Sequence, residues 1–348
     1  MQQSDINSQT ALAENKKLLS AIKLVKRFSV KAGGFSTSKL YVHALNSVSF
    51  DVYENSTLGI VGESGSGKTT AARTILRIHE ADSGKLFFNL PQNQMQDMQD
   101  KDNFFNYDKE KLKKERIKIQ YIFQNPYMAL NPKMQIKDII IEPLLATEKK
   151  LNANERNKAV EKLLDMVGIP SSSLSKFPHE FSGGQRQRIS IARSISVNPK
   201  LIICDEPVSS LDVSIQSQIL NLLIDLQRES GISYLFIAHN LAVVFYMSDF
   251  IAVMYAGKIV EYASSKELYK NPLHPYTVLL RSVVPEIGKG KKIYDKKSQG
   301  EVPSLINLPK GCAFYSRCPE RMEICAAENP KLKKVSDDET HVCACHAV

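Results

Sequence analysis

Apolar positions along this chain switch between short unbroken runs and helical spacing, and the order of the two predicts an α/β fold. Leu58-Gly59-Ile60-Val61 reads as a buried strand, and Thr70-Ala71-Ala72-Arg73-Thr74-Ile75-Leu76 follows it as a helix. Leu201-Ile202-Ile203-Cys204 is a second unbroken run, of the kind expected for a strand covered on both faces in a parallel sheet. Ile189, Ala192, Arg193 and Ile195 fall at helical spacing, as do the apolar positions between Asn152 and Val167, where Gly168 supplies a stop. The most apolar stretch, Tyr234 to Gly257, is interrupted by His239, Asn240, Ser248 and Asp249. It therefore reads as strand, loop, helix and strand and not as a membrane span. Asn89 to Lys118 is rich in Gln, Asn, Asp and Lys and reads as a solvated extension, helical from Asp108 to Lys118. No internal repeat is evident.

Between the first strand and the first helix lies Gly62-Glu63-Ser64-Gly65-Ser66-Gly67-Lys68-Thr69, with Thr70 opening the helix body. This is the G-x-x-x-x-G-K-[ST] spacing of a phosphate loop in its required strand-loop-helix setting. Glycines let successive N–H groups turn toward phosphate oxygens, and the helix aims its positive end at the same charge. Lys68 would add a point charge on the β/γ oxygens, and Thr69 would offer its hydroxyl to Mg²⁺. The strand 200–204 ends in Asp205-Glu206-Pro207, at the carboxyl edge where ligands bind in such sheets. Asp205 would hold Mg²⁺ through water, and Glu206 would orient or deprotonate the attacking water.

Phe181-Ser182-Gly183-Gly184-Gln185 provides a second helix N-terminus, with Ser182 as a good N-cap. It is a second surface for phosphate, and one domain cannot readily bring both surfaces to one γ-phosphate. The second surface is expected to meet the nucleotide of a partner domain. On these residues the chain resembles an ATP-binding-cassette (ABC) ATPase, with Phe181 in place of the usual Leu of that family's signature. The resemblance implies a P-loop NTPase of ABC type, with a RecA-like core built on a parallel sheet, an antiparallel β subdomain and a helical subdomain at about residues 125–195. It also implies that Gln124, in Tyr121-Ile122-Phe123-Gln124, touches Mg²⁺ or the attacking water, that Asp212 in Ser209-Ser210-Leu211-Asp212 makes a contact across a dimer, and that His239 holds the γ-phosphate. Asn240 stands where many relatives have Asp. An aromatic residue that stacks on adenine is usual upstream; Tyr41, Phe35 and Phe28 are candidates, with Tyr41 preferred.

Length and charge narrow the picture. A chain of 348 residues with 43% hydrophobic content can bury a large core and suits one large domain with an appendage or two domains. Met1 to Asn15 is polar, without a charged n-region and apolar h-region, so residues 1–18 are expected to be disordered and the protein cytosolic. The formal charge of +9 invites a nucleic-acid role, but the lysines are scattered apart from Lys111–Lys118 and Lys289–Lys297, and no aromatics interleave with them. No nucleic-acid partner is expected; attraction to anionic lipid head groups is a simpler use of the charge.

The tail sets this chain apart from a generic cassette. Asn271-Pro272-Leu273-His274-Pro275-Tyr276-Thr277 leads into a helical stretch to Val284, and five of the six cysteines fall between Cys312 and Cys345. In a cytosolic chain such clustering suggests metal more than disulfides. These segments resemble the C-terminal extension of the ATPase subunits of bacterial oligopeptide and dipeptide importers, and Pro199–Pro207 with Leu211–Gln216 are nearest to the OppF/DppF member of the pair. That resemblance covers the chain from about Leu19 onward and divides it into an ATPase domain at 19–270 and an extension at 271–348. It implies a [4Fe–4S] cluster on Cys312, Cys318, Cys325 and, because His346 follows, Cys345 in preference to Cys343. Spacing alone leaves tetrahedral Zn²⁺ and unligated thiols open.

The expected function is ATP binding and hydrolysis that energises peptide import at the cytoplasmic face of the plasma membrane, by a peripheral subunit. The resemblance implies a paralogous ATPase as heterodimer partner, two membrane permeases and, through them, an extracytoplasmic peptide-binding protein. Alternatives are a soluble cassette ATPase acting on nucleic acid or ribosomes, a metal-sensing or redox protein, and an importer of a non-peptide ligand such as a nickel chelate.

Overall fold

The structure, a computed structural model, describes residues 16–31, 39–91, 98–147, 151–282, 284, 303–335 and 340–348. The candidate Phe35, the lysines of 289–297 and most of the expected disordered N-terminus lie outside these residues. At the boundary the structure differs from expectation, because β1 (Lys17–Lys31) starts inside the stretch expected to be disordered. Leu18 and Leu19 are both buried, and that burial fixes the strand's start.

β1 pairs antiparallel with β2 (Lys39–Tyr53). After β3 (Thr57–Val61) and α1 (Lys68–Ile75), β4 (Ser83–Phe88) returns to the free side of β1, giving an antiparallel sheet of order β2-β1-β4. The chain continues through α2 (Lys109–Ile117), β5 (Ile119–Ile122), α3 (Ile136–Leu145), α4 (Ala153–Met166) and α5 (Gly183–Ile195). It then runs through β6 (Leu201–Asp205), α6 (Val213–Ser230), β7 (Ser233–Ala238), α7 (Leu241–Met247), β8 (Phe250–Tyr255) and β9 (Lys258–Ser264). Helices α3, α4 and α5 pack on one another. α4 opens with a reciprocal cap, in which Asn152 Oδ1 accepts from Glu155 N–H and Glu155 Oε2 accepts from Asn152 N–H.

β3, β5, β6, β7 and β8 are mutually parallel in the order β8-β3-β7-β6-β5. Every residue of β3, β6, β7 and β8 is buried, which is why these strands read as unbroken apolar runs. The two faces still separate with period two. Ile202, Cys204, Tyr234 and Phe236 pack with the helices, whereas Leu201, Ile203, Leu235 and Ile237 pack with α1 and the antiparallel sheet.

The expected parallel core sheet gains an antiparallel edge, since β9 joins β8 in an antiparallel hairpin. Its two-residue turn, Ala256-Gly257, has φ of 46° and 77°, the left-handed pair that a tight hairpin requires. Alanine in the first of these positions gave no turn signal.

The tail folds back on this frame. α8 (Ser265–Lys270) and α9 (Pro275–Ser282) follow β9, and after α10 (Glu323–Ala327) the short strands β10 (Lys333–Lys334) and β11 (Val342–Cys343) extend the main sheet at the β9 edge. Glu261, fully buried on β9, binds these pieces together. It accepts hydrogen bonds from the N–H of Leu273 at 2.8 Å and of His274 at 3.0 Å, and meets His341 Nε2 at 2.9 Å. A buried carboxylate satisfied three ways avoids most of the penalty of burial. His43 N–H donates to Leu305 O at 2.9 Å, so the tail also touches β2.

Candidate nucleotide site

The loop 62–67 leaves β3 at its carboxyl end and enters α1 through Gly67. Gly67 has φ of 106°, and a Cβ there would fall 2.3 Å from the Ala44 carbonyl oxygen, so only glycine fits. Lys68, the first residue of α1, is buried and turns back over the loop: Nζ donates to Gly62 O at 2.7 Å and Glu63 O at 2.9 Å. Burial pushes the Lys68 ammonium below its ordinary pKa, against the opposing pull of Glu206, Asp205 and Glu63.

Asp205, the last residue of β6, lies beside the same loop. Thr69 Oγ1 donates to its Oδ1 at 2.9 Å, and Tyr121 OH donates to its Oδ2 at 2.5 Å. Burial, then the Asp205 charge, pushes Tyr121 ionisation far up, so its hydroxyl stays a donor. Tyr121 had no assigned role in the sequence. It points at Asp205 because β5 and β6 run parallel in register, with Tyr121 opposite Ile203.

Glu206 follows with φ of 50°, a left-handed backbone that is unusual for a non-glycine residue and concentrates at functional sites. Two of the expected site residues converge on its carboxylate: Gln124 Nε2 donates to Oε2 at 2.9 Å, and His239 Nδ1 lies 3.1 Å from the same oxygen. Asn240, the apparent departure from the pattern, caps α7 by accepting the Ala242 N–H at 2.9 Å. Its role is local, and Glu206 is the side chain that meets the His239 ring.

Other expected residues lie apart from this cluster. Ser182 and Gln185 cap α5 reciprocally, Gln185 N–H donating to Ser182 Oγ at 3.3 Å and Ser182 N–H to Gln185 Oε1 at 3.0 Å. Gly183 and Gly184 form the first turn of that helix, and buried Phe181 anchors it. Asp212 stands exposed at the N-cap of α6 with no side-chain cap bond. Tyr41 is exposed on β2 opposite Ser29, and Phe28 packs edge-on against His79.

A family model for the ABC transporter matches residues 45–209, and a second, for the oligopeptide/dipeptide transporter C-terminal region, matches residues 260–325. Oligopeptide transport ATP-binding protein AppF of Bacillus subtilis (strain 168) is 44% identical over 338 residues, covering 96% of this chain and 98% of its own. The chain belongs to the ABC transporter ATP-binding proteins, in their oligopeptide/dipeptide branch. Dipeptide transport ATP-binding protein DppF of Haemophilus influenzae (strain ATCC 51907 / DSM 11121 / KW20 / Rd) is 42% identical, covering 95% of this chain and 97% of its own. Among solved structures, cbiO1 of Clostridium perfringens, part of the ABC transporter complex cbiONQ, superposes with a TM-score of 0.59 at 26% identity, over 73% of this chain and 91% of that one. The ATP-binding cassette MJ0796, in a dimeric post-hydrolysis state bound to ADP and Pi, gives a TM-score of 0.59 at 24% identity over 71% of this chain and 99% of its own, a likeness of fold. As an ABC ATPase the chain binds ATP, and the cluster around Glu206 sits in the fold that hydrolyses it.

The expected metal centre fares differently. Cys312, Cys318, Cys325 and Cys345 line one small cavity together with His274 and His346, whereas Cys343 lies on β11 beside Glu261. All are free thiols. Burial raises the pKa values of Cys312, Cys318, Cys343 and Cys345, that of Cys318 to about 11. Yet among the described residues no three His, Cys, Asp or Glu side chains gather closely enough to hold a single metal ion. That spacing does not suit tetrahedral zinc, whose four ligands meet at one point.

Proposed function

We propose that this chain is the ATP-hydrolysing subunit that energises a peptide importer, and that the residues just described carry the hydrolysis. The observation that carries the proposal is the convergence of Gln124 and His239 on one oxygen of Glu206, next to Asp205 and the phosphate loop. Residues 62–70 would cradle the triphosphate, and the Lys68 charge would lie over its β/γ oxygens. Mg²⁺, when bound near Thr69, Asp205 and Gln124, supplies charge neutralisation at those oxygens. Glu206 would hold and deprotonate the attacking water, Gln124 would orient it, and His239 would hold the γ-phosphate.

Ser182–Gln185 and Asp212 would complete the site of a second cassette. The exposure of Ser182, Gln185 and Asp212, and the self-satisfied cap formed by Ser182 and Gln185, support that reading. The adenine would stack on an aromatic of the antiparallel sheet, Tyr41 being preferred. Relatives named for oligopeptide and dipeptide transport match the chain over nearly its whole length, which supports peptide import over a nucleic-acid, ribosomal or nickel role. No helix among the described residues is long and apolar enough to cross a membrane, so passage is assigned to permease subunits on other chains. The proposed assembly pairs residues 19–270 with a paralogous ATPase at the cytoplasmic membrane face, with an extracytoplasmic binding protein delivering peptide.

Residues 271–348 would form a metal-bearing appendage, with Cys312, Cys318, Cys325 and Cys345 as ligands of a [4Fe–4S] cluster. The shared cavity of these four, with Cys343 outside it, supports the ligand set. Anaerobically purified protein would then be brown with about four irons per chain; a colourless, zinc-loaded protein would overturn the cluster. For the central proposal, Glu206→Gln should retain ATP binding while hydrolysis and peptide uptake by the assembled importer fall by about 10²–10⁴-fold. Undiminished uptake would refute it.

A further inference from the structure

The phosphate loop is held from outside the ATPase core by two residues that no nucleotide motif contains. Glu63 occupies a free position of G-x-x-x-x-G-K-T, and a carboxylate there would repel a triphosphate unless its charge were compensated. Arg317 compensates it with a bidentate pair, Nη1 to Oε2 at 2.8 Å and Nη2 to Oε1 at 2.9 Å. The Glu63 N–H donates to Tyr276 OH at 2.8 Å. Its carbonyl accepts from Lys68 Nζ at 2.9 Å and from the Ser66 N–H at 3.2 Å. One residue of the loop is thus fixed at its side chain, N–H and C=O. Two of these three anchors come from the tail.

The anchors are themselves rigid. Tyr255, Tyr276 and Phe314 form a buried aromatic trio with ring centroids 4.6, 5.3 and 5.5 Å apart. The Arg317 guanidinium lies over Phe314 and Tyr255, at 5.6 and 5.9 Å. Phe314 and Arg317 sit between Cys312 and Cys318 in a tight turn, closed by Tyr315 N–H to Cys312 O at 3.1 Å and Arg317 N–H to Phe314 O at 3.0 Å. An arginine locked by packing on one side and paired through two parallel bonds on the other has little freedom left to lose.

We propose that Arg317 and Tyr276 are positioning residues for the nucleotide: the cysteine-box turn and α9 form a strut that preorganises the phosphate loop from the C-terminal extension. The inference rests on the reading of residues 62–70 as the nucleotide site. A loop already ordered before ligand arrives charges less of its ordering to binding, so the strut acts on affinity. It acts equally on ground state and transition state, which moves KM and leaves kcat in place. Because coupling between sites is reciprocal, bound nucleotide in turn stiffens the cysteine-box turn.

The test uses the full chain for binding and the assembled importer for turnover. Tyr276→Phe removes one oxygen and keeps the ring packing, and Arg317→Lys keeps the charge and loses the fork. Each is expected to raise the calorimetric Kd for Mg–ADP about fivefold or more, the low end of measured coupling between sites. In the importer KM for ATP should rise with kcat unchanged. Glu63→Gln combined with Arg317→Lys should bind no worse than Arg317→Lys alone, because both act through one contact. Wild-type affinity in both single variants, or a fall in kcat at constant KM, would overturn the proposal. Wild-type protein that fails to bind Mg–ADP would instead overturn the nucleotide reading beneath it.

Discussion

Thr69 and Asp205 share a hydrogen bond of 2.9 Å, from Oγ1 to Oδ1, that ties the start of α1 to the end of β6. In the proposed site the same two oxygens would be the ones offered to Mg²⁺. Thr69→Ala removes one of them and should reduce ATP hydrolysis by about a hundredfold, the order seen when one charge-stabilising contact is lost. Titration of ADP with and without Mg²⁺ checks the assignment. Wild type should bind more tightly with the metal, and the variant should lose most of that difference; a variant that keeps it would make the pair purely structural.

Tyr121→Phe tests the other oxygen of the same carboxylate. Tyr121 OH is the donor to Asp205 Oδ2, and its removal frees that oxygen without changing the packing of β5. A neutral donor to a charged acceptor contributes about 1.5–3 kcal/mol to stability. The variant should unfold at a slightly lower temperature and require severalfold more Mg²⁺ for half-maximal ATPase rate. An unchanged Mg²⁺ requirement would show that Tyr121 only supports the sheet.

Part of this site was legible in the sequence because local chemistry dictates it. A glycine loop between an apolar run and a helix, and paired acids at the end of another apolar run, follow from backbone geometry and sheet placement. Gln124 and His239 were located by resemblance, but their meeting on Glu206 was not, since it depends on the lateral order β5-β6-β7. Tyr121 and Tyr276 stood in segments read by resemblance and Arg317 stood between two cysteines of the tail, but nothing in the sequence assigned any of them a role. Their partners lie 84, 213 and 254 residues away, and single residues without a local motif show their role only after the chain folds. The hairpin at Ala256-Gly257 escaped for a different reason, an atypical residue in a left-handed position.

Ser182 has an observed role as a helix cap and a proposed one toward phosphate, and substitution can separate the two. Its hydroxyl caps α5 by accepting the Gln185 N–H, so Ser182→Ala should cost about 1 kcal/mol of stability. Aspartate caps as well as serine, so Ser182→Asp should leave the unfolding temperature nearly unchanged. The added negative charge would then face the γ-phosphate of the partner cassette, and ATP hydrolysis by the assembled importer should fall steeply. Comparison of melting temperature and turnover for the two variants separates cap from phosphate surface. Normal turnover in Ser182→Asp would remove this helix end from the composite site.

His341 links stability to pH through the buried carboxylate that fastens the tail. Burial alone pushes its pKa down, but the Glu261 hydrogen bond and charge, with Glu267 at 3.5 Å from Nδ1, outweigh burial, and the net shift is upward. A histidine whose folded pKa exceeds its unfolded value of about 6.5 binds more protons in the native state between those two values. Its stabilisation is therefore complete below about pH 6.5 and is lost as pH rises through the folded pKa. His274, on the same carboxylate, is pushed down to about 4 by burial and stays neutral throughout that window. Denaturant unfolding from pH 6 to 9 should show a decline in stability that His341→Gln flattens. An equal decline in the variant would assign the pH dependence to other groups and leave His341 as a neutral hydrogen-bond partner of Glu261.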